Sequence, residues 1–401
     1  MSHLMNTYAR LPVAFERGEG VWLWDADGKQ YLDALAGVAV CGLGHAHPRL
    51  TAALREQVGK LIHTSNIYRI TAQEQLADRL AALSGMDNVF FCNSGCEANE
   101  AAIKLARLYG HKKGIESPAI IVMDKAFHGR TIATLSATGS RKVQAGFEPL
   151  VSGFVRVPFD DLEAVKRVAS NNRNVVAVLV ELIQGEGGIQ ICHEGYLKGL
   201  REICDANGWL LMLDEVQSGI GRTGTWFAFQ HSNVKPDVMT LAKGLANGVP
   251  IGACLAQGVA SSLFKPGSHG STFGGNPLAC RAALETLAII ESDDLMRNAV
   301  AMGVAIRSGL GQRLSGVAGV KDIRGQGMMI GIELAQPCGE IVSRALEAGL
   351  LVNVTADTVV RLLPPLIYTG EDVALLVDRL APLIIEFLGK PAAPQAPAPA
   401  A

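Results

Sequence analysis

Three short runs, apolar but for Thr240, constrain this chain most: Val175–Val180, Trp209–Leu213 and Val238–Leu241. Each is too short for a buried helix and shows no polar alternation. Such a strand must be covered on both faces. Helical patterns at Leu162–Ala169 and Tyr196–Ala206 separate the runs, and strands Val89–Cys92 and Ala119–Met123 precede them. Alternating strands and helices predict a largely parallel sheet in an α/β fold. Ligands of such sheets bind at the carboxyl ends of the strands, so the residues just after each strand are the first candidates.

The flanks read differently. Val21–Trp24 and Gln30–Asp33 around an Asp/Gly turn predict a hairpin. Gly37–Gly44 reads as a glycine-rich loop before a helix opened by Pro48, and Thr71–Glu74 reads as a capping box for a helix toward Ser84. After Asn276-Pro277, two long helices lead into Val320–Arg324, Met328–Glu333, a helix near 339–348, Leu351–Asn353, Val359–Leu362 and a last helix over about 371–387. The expected organisation is a large α/β domain over 46–285. A smaller α+β domain is built from 1–45 and 286–388, and a disordered Pro/Ala tail occupies 389–401.

With 401 residues, 49% of them hydrophobic, a large core is available. A formal net charge of -2 gives no reason to expect nucleic acid or an anionic membrane as partner. No apolar run approaches the roughly 20 residues that span a bilayer, and the first residues lack a secretion pattern, so a cytoplasmic location is expected. The 8 cysteines contain no CxxC pair and read as small buried hydrophobes. His45-Ala46-His47 lacks further ligands, so no metal site is expected.

Five groups carry chemistry, most of them at or near strand ends. Lys243 ends an apolar run and precedes Gly244. An amine among apolar neighbours is pushed toward its neutral, nucleophilic form, although a lysine there also suits a strand end that reaches solvent. Ser94-Gly95-Cys96 sits at a strand-to-helix junction, where free N–H groups and the helix dipole attract a phosphate. Asp214-Glu215-Val216-Gln217 offers a carboxylate able to keep a heterocyclic nitrogen protonated. Phe127-His128-Gly129-Arg130 pairs a stacking aromatic with a carboxylate-gripping guanidinium. Ser271-Thr272, between glycines, makes another phosphate contact plausible. Gly219–Gly224 matches GxGxxG, but no helix pattern follows it and no acid lies at the required distance. A nicotinamide-dependent oxidoreductase is therefore the remote alternative.

The order Asp214, Lys243, Ser271-Thr272 after an early phosphate site resembles the class III pyridoxal-phosphate-dependent aminotransferases. So do Gly37–Val40, Leu43–Pro48, Gln184–Gly188 and Arg361–Leu366, and the resemblance covers nearly the whole chain. It implies the fold-type I architecture, pyridoxal 5'-phosphate as cofactor, and a homodimer with shared active sites. Lys243 resembles the lysine that carries the cofactor, Asp214 the acid at the ring nitrogen and Gln217 its neighbour near the ring hydroxyl. Ser94, Gly95 and Cys96 match the phosphate-binding turn, and Phe127 the stacking aromatic. Thr272 matches a phosphate ligand supplied by the partner subunit. Arg130 and Ser271 match contacts to an acylated ornithine donor. Arg361 resembles the arginine for the 2-oxoglutarate carboxylate, and Glu186 the glutamate that neutralises it. The activity implied is transfer of the terminal amino group of N2-acetylornithine to 2-oxoglutarate, with succinylornithine, ornithine and 4-aminobutyrate as alternative donors. Cys96 and Cys41 depart from the usual alanine and asparagine.

Overall fold

The computed structural model describes residues 3–389. Residues 390–401, which hold nearly all of the expected Pro/Ala tail, lie outside the described residues.

Seven strands form the central sheet. Across it they run Asn88–Cys92, Gly252–Ala256, Val238–Leu241, Leu210–Asp214, Val175–Val180, Ala119–Met123 and Phe154–Val157. Neighbours are parallel from Val238–Leu241 through Phe154–Val157. Gly252–Ala256 is antiparallel to both of its neighbours. That strand and Phe154–Val157 are not expected from the sequence. Gly252-Ala253-Cys254 carries no β-branched residue, so its strand character comes from being fully buried between two partners.

Local signals position the site. Helix Gly95–Lys112 starts where Ser94, in an extended conformation, caps it: Ser94 Oγ accepts from the Glu97 amide at 3.2 Å. Asn276 does the same for helix Pro277–Ser292, with Pro277 in the first turn. The capping box expected at Thr71 is absent. Thr71 is already helical, Ile70 occupies the cap, and Glu74 turns outward to pair with Arg69 at 2.8 Å.

A second sheet joins Phe15–Glu19, Trp22–Asp25 and Gln30–Asp33 to Leu350–Leu351, and a third contains Val320–Gln326, Met329–Leu334, Val359–Leu362 and Asn353–Thr355. The single strand expected at Leu351–Asn353 is therefore divided. Leu351 pairs with Asp33, whereas Asn353 pairs with Arg361. The N-terminal hairpin thus pairs with a strand more than 300 residues later, which no local pattern encodes.

The glycine-rich loop is a left-handed turn. Ala36, Gly37, Val38 and Ala39 have φ between 51° and 66°, a conformation that costs roughly 1–2 kcal/mol for each residue with a side chain. Asp33 holds the turn in place: its Oδ1 accepts the Leu35 and Ala36 amides at 2.9 and 2.7 Å, and its Oδ2 pairs with His45 Nε2 at 2.8 Å. His45, half of the His-Ala-His pair, thus has a structural partner. Among the described residues no cluster of three metal-ligating side chains occurs, all eight cysteines are free, and no helix is long and apolar enough to cross a membrane.

Candidate active site

Lys243 follows the strand Val238–Leu241 and has φ 45°. A non-glycine residue held in that region at a strand end is a strained position of the kind found at functional sites. Its open surface lines a cavity of about 380 Å³. Elsewhere its amine is enclosed, and burial lowers its pKa below the usual lysine value, with the Arg361 charge adding to the effect.

Asp214 ends the neighbouring strand, in register with Thr240. Its Oδ2 accepts from Asn99 Nδ2 at 2.7 Å and contacts His128 Nδ1 at 2.8 Å, and its Oδ1 accepts the Val216 amide at 3.0 Å. Asn99 is held in turn by donating to the His128 carbonyl at 2.8 Å and accepting from Thr240 Oγ1 at 2.8 Å. Each member of this buried network fixes another, so the carboxylate has one orientation. His128 Nε2 is buried without a partner.

Ser94, Gly95 and Cys96 line the same cavity at the start of their helix. A Cβ on Gly95 would strike the Val216 side chain, so only glycine fits. The first amides of a helix have no intrahelical acceptor. Cys96 turns its Sγ toward Thr131 and Thr134, at 3.4 Å from the Thr131 amide and 3.2 Å from Thr134 Oγ1, which leaves its amide as the available group.

Phe127 lines another wall, with the Arg130 guanidinium 5.8 Å from its ring. The Phe127 amide donates to Glu181 Oε2 at 2.9 Å, and Gly185 donates to the other oxygen of that carboxylate at 3.3 Å. Burial pushes Glu181 up to about 7, against the lowering effect of His128. Gln217 closes the cavity near Lys243 and lies 3.5 Å from Arg361 Nη1.

Eight of the expected residues thus gather at one cavity: Lys243, Asp214, Gln217, Ser94, Gly95, Cys96, Phe127 and Arg130. Four stand apart from it. Glu186 and Arg361 form their own ion pair at 2.6 Å. Ser271 Oγ accepts from Asn93 Nδ2 at 3.2 Å, one residue removed from the cavity. Thr272 is exposed and does not line the cavity of its own chain. Asn99, His128 and Glu181 have no role assigned from the sequence. Only Glu181 carried a usable signal, since it directly follows the strand Val175–Val180. Gly219–Gly224 forms turns, and the next helical element is the short 3-10 segment Ala228–His231, so the dinucleotide motif opens no helix.

Residues 4–384 match the family model for class III aminotransferases. The chain belongs to the class III aminotransferases. The acetylornithine aminotransferase of Nitrosomonas europaea is 66% identical over 388 residues, 97% of this chain and 99% of that one. Acetylornithine aminotransferase 1 of Bordetella bronchiseptica is 57% identical, with 97% and 99% covered. Among solved structures, the Elizabethkingia anophelis acetylornithine aminotransferase superposes with a TM-score of 0.87 at 37% identity, covering 96% of this chain and 97% of that one. The Toxoplasma gondii ornithine aminotransferase gives 0.93 at 36% identity, covering 96% and 93%.

This aminotransferase is a pyridoxal-phosphate-dependent enzyme of fold-type I. The groups present fit that cofactor: a lysine amine with lowered pKa, a braced carboxylate at a strand end, an aromatic wall and free amides at a helix N-terminus. Lys243 could hold the aldehyde carbon, Asp214 the ring nitrogen, Phe127 the ring face, and Ser94, Gly95 and Cys96 the phosphate.

Proposed function

We propose that this aminotransferase moves the δ-amino group of N2-acetylornithine to 2-oxoglutarate, giving N-acetylglutamate 5-semialdehyde and glutamate. The observation that carries the reading is the Glu186–Arg361 pair at 2.6 Å. The donor reacts at the end of a side chain, with no carboxylate beside its amine, whereas the acceptor reacts beside one. A site serving both needs a cation there that can be neutralised, and Glu186 supplies the neutralising charge. The names of the relatives at 66% and 57% identity support the same donor.

Bound at Lys243, pyridoxal 5'-phosphate supplies the electron sink for bond cleavage at the substrate carbon. Lys243 Nζ takes the proton from the reacting carbon and returns a proton as general base and acid. Asp214, clamped by Asn99 and His128, keeps the ring nitrogen protonated. Arg130 takes the donor's distal carboxylate in a two-pronged contact, and Ser271 adds a hydroxyl.

The reading includes a homodimer with shared sites, in which Thr272 reaches the partner's cofactor phosphate. Exposed Ile62, Ile67, Tyr68 and Phe273 around that loop support it, as an apolar surface suited to a second copy. A cytoplasmic location is part of the reading, in keeping with eight free cysteines.

Initial rates with acetylornithine, succinylornithine, ornithine and 4-aminobutyrate test the donor. Acetylornithine is expected to exceed ornithine in kcat/KM by about tenfold or more. Equal or better rates with ornithine or 4-aminobutyrate would overturn the assignment.

A further inference from the structure

A second cavity, of about 830 Å³, lies against the first, and Phe127 and Arg130 line both. Lys125 and Lys142 line its large-sheet side. The two segments are locked together: the Lys125 amide donates to the Gly139 carbonyl at 3.2 Å, and a Cβ on Gly139 would collide with that amide. Gln144 then anchors the turn that carries Lys142, donating to the Leu135 and Thr138 carbonyls at 3.1 and 2.8 Å. The opposite wall is Glu186 with 354–357, joined by Thr355 Oγ1 donating to the Glu186 carbonyl at 2.5 Å.

The charges in this cavity do not balance. Lys125, Arg130 and Lys142 are exposed, and none forms an ion pair with a described residue. Of the two acids lining it, Glu186 is committed to Arg361, which leaves Asp357 against three cations. Low-dielectric walls focus such a field and raise the local concentration of the opposite charge. Long lysine side chains on anchored backbone can follow a moving anion, whereas Arg130 at the junction offers a fixed fork.

We propose that this cavity is an anion-collecting vestibule, in which Lys125 and Lys142 draw in substrate carboxylates and pass them to Arg130. The inference rests on the proposed function only in that donor and acceptor both carry carboxylates. It assigns the lysines to capture and leaves the chemical step to Lys243.

The test uses the cofactor-loaded enzyme and the Lys125→Gln/Lys142→Gln double variant, whose altered side chains are both exposed. Glutarate, an unreactive dicarboxylate, is titrated by calorimetry, and kcat/KM for 2-oxoglutarate is measured against sodium chloride concentration. The double variant is expected to bind glutarate about tenfold more weakly at low salt, with kcat/KM reduced by about the same factor, a shallower salt dependence and kcat within about twofold of the parent. Unchanged glutarate affinity and salt dependence would overturn the vestibule. So would an equal loss in Lys198→Gln, which removes one exposed charge from helix Tyr196–Asn207, away from the cavity. Glutarate binding requires no turnover and no particular donor. A failure of acetylornithine as donor therefore leaves this readout standing, and a failure of the vestibule leaves the donor assignment untouched.

Discussion

Glu186 Oε1 lies 2.6 Å from Arg361 Nη1, and the two ends of this pair differ sharply in access: the Arg361 side chain is 2% exposed, that of Glu186 39%. A buried guanidinium left unpaired is costly. Arg361 is also held by Asn353, with Nε donating to Oδ1 at 3.0 Å, so the arginine stays in place if the pair opens. Glu186 sits on the loop Gly185–Gly188, where a glycine on either side eases its departure. The pair can therefore open by moving one residue.

Glu186→Ala should remove the neutralising charge while leaving Arg361 positioned. The half-reaction with glutamate should gain on that with acetylornithine by about tenfold in rate-constant ratio, while cofactor affinity changes little. Single-turnover absorbance measurements on each donor give the ratio. An unchanged ratio would show that Glu186 is not the switch.

Lys243→Ala removes the amine without disturbing the strand that precedes it. Transamination should fall by about a thousandfold or more, since proton transfer and covalent attachment are both lost. Borohydride should no longer fix the cofactor to the chain, which mass spectrometry reads directly. Near-normal turnover would remove Lys243 from the mechanism.

Mixing Lys243→Ala chains with Thr272→Ala chains tests the shared site. If Thr272 serves the partner's cofactor, each heterodimer contains one site damaged at both positions and one intact. Activity should rise on mixing above that of Thr272→Ala alone. Activity that never exceeds that level places Thr272 in its own subunit's site.

The left-handed turn at 36–39 depends on Asp33, and Asp33 is paired with His45. Burial lowers the His45 pKa, but the contact with Asp33, aided by Cys41, overrides it and brings the value up to about 9. A folded value above the unfolded one, near 6.5, means that the stabilisation is complete below about pH 6.5 and is lost as pH rises through about 9. His45→Ala should therefore lower the denaturation midpoint at about pH 6 by more than at about pH 10, with an upper limit of roughly 3 kcal/mol. A pH-independent difference between parent and variant would show that packing, not charge, is what His45 contributes.

Much of the site was legible because its parts are local. Ser94 caps its helix through bonds spanning three residues, and Lys243 and Asp214 each sit at the end of an apolar strand. Where local signals failed, a competing partner had won. Glu74 left its own helix end for Arg69, and Gly252–Ala256 became a strand only because Asn88–Cys92 and Val238–Leu241 flank it.

By itself, the sequence determined the alternation of strands and helices, the strand ends on which Lys243 and Asp214 sit, and the helix start at Ser94. Hydrophobic period and capping act over a few residues and are written in neighbouring positions. Tertiary structure alone decided which distant groups share a site. Asn99 meets Asp214 across 115 residues and Arg361 meets Glu186 across 175. Those meetings are set by strand order and register, and a register follows from how whole faces pack, which no short stretch of sequence contains.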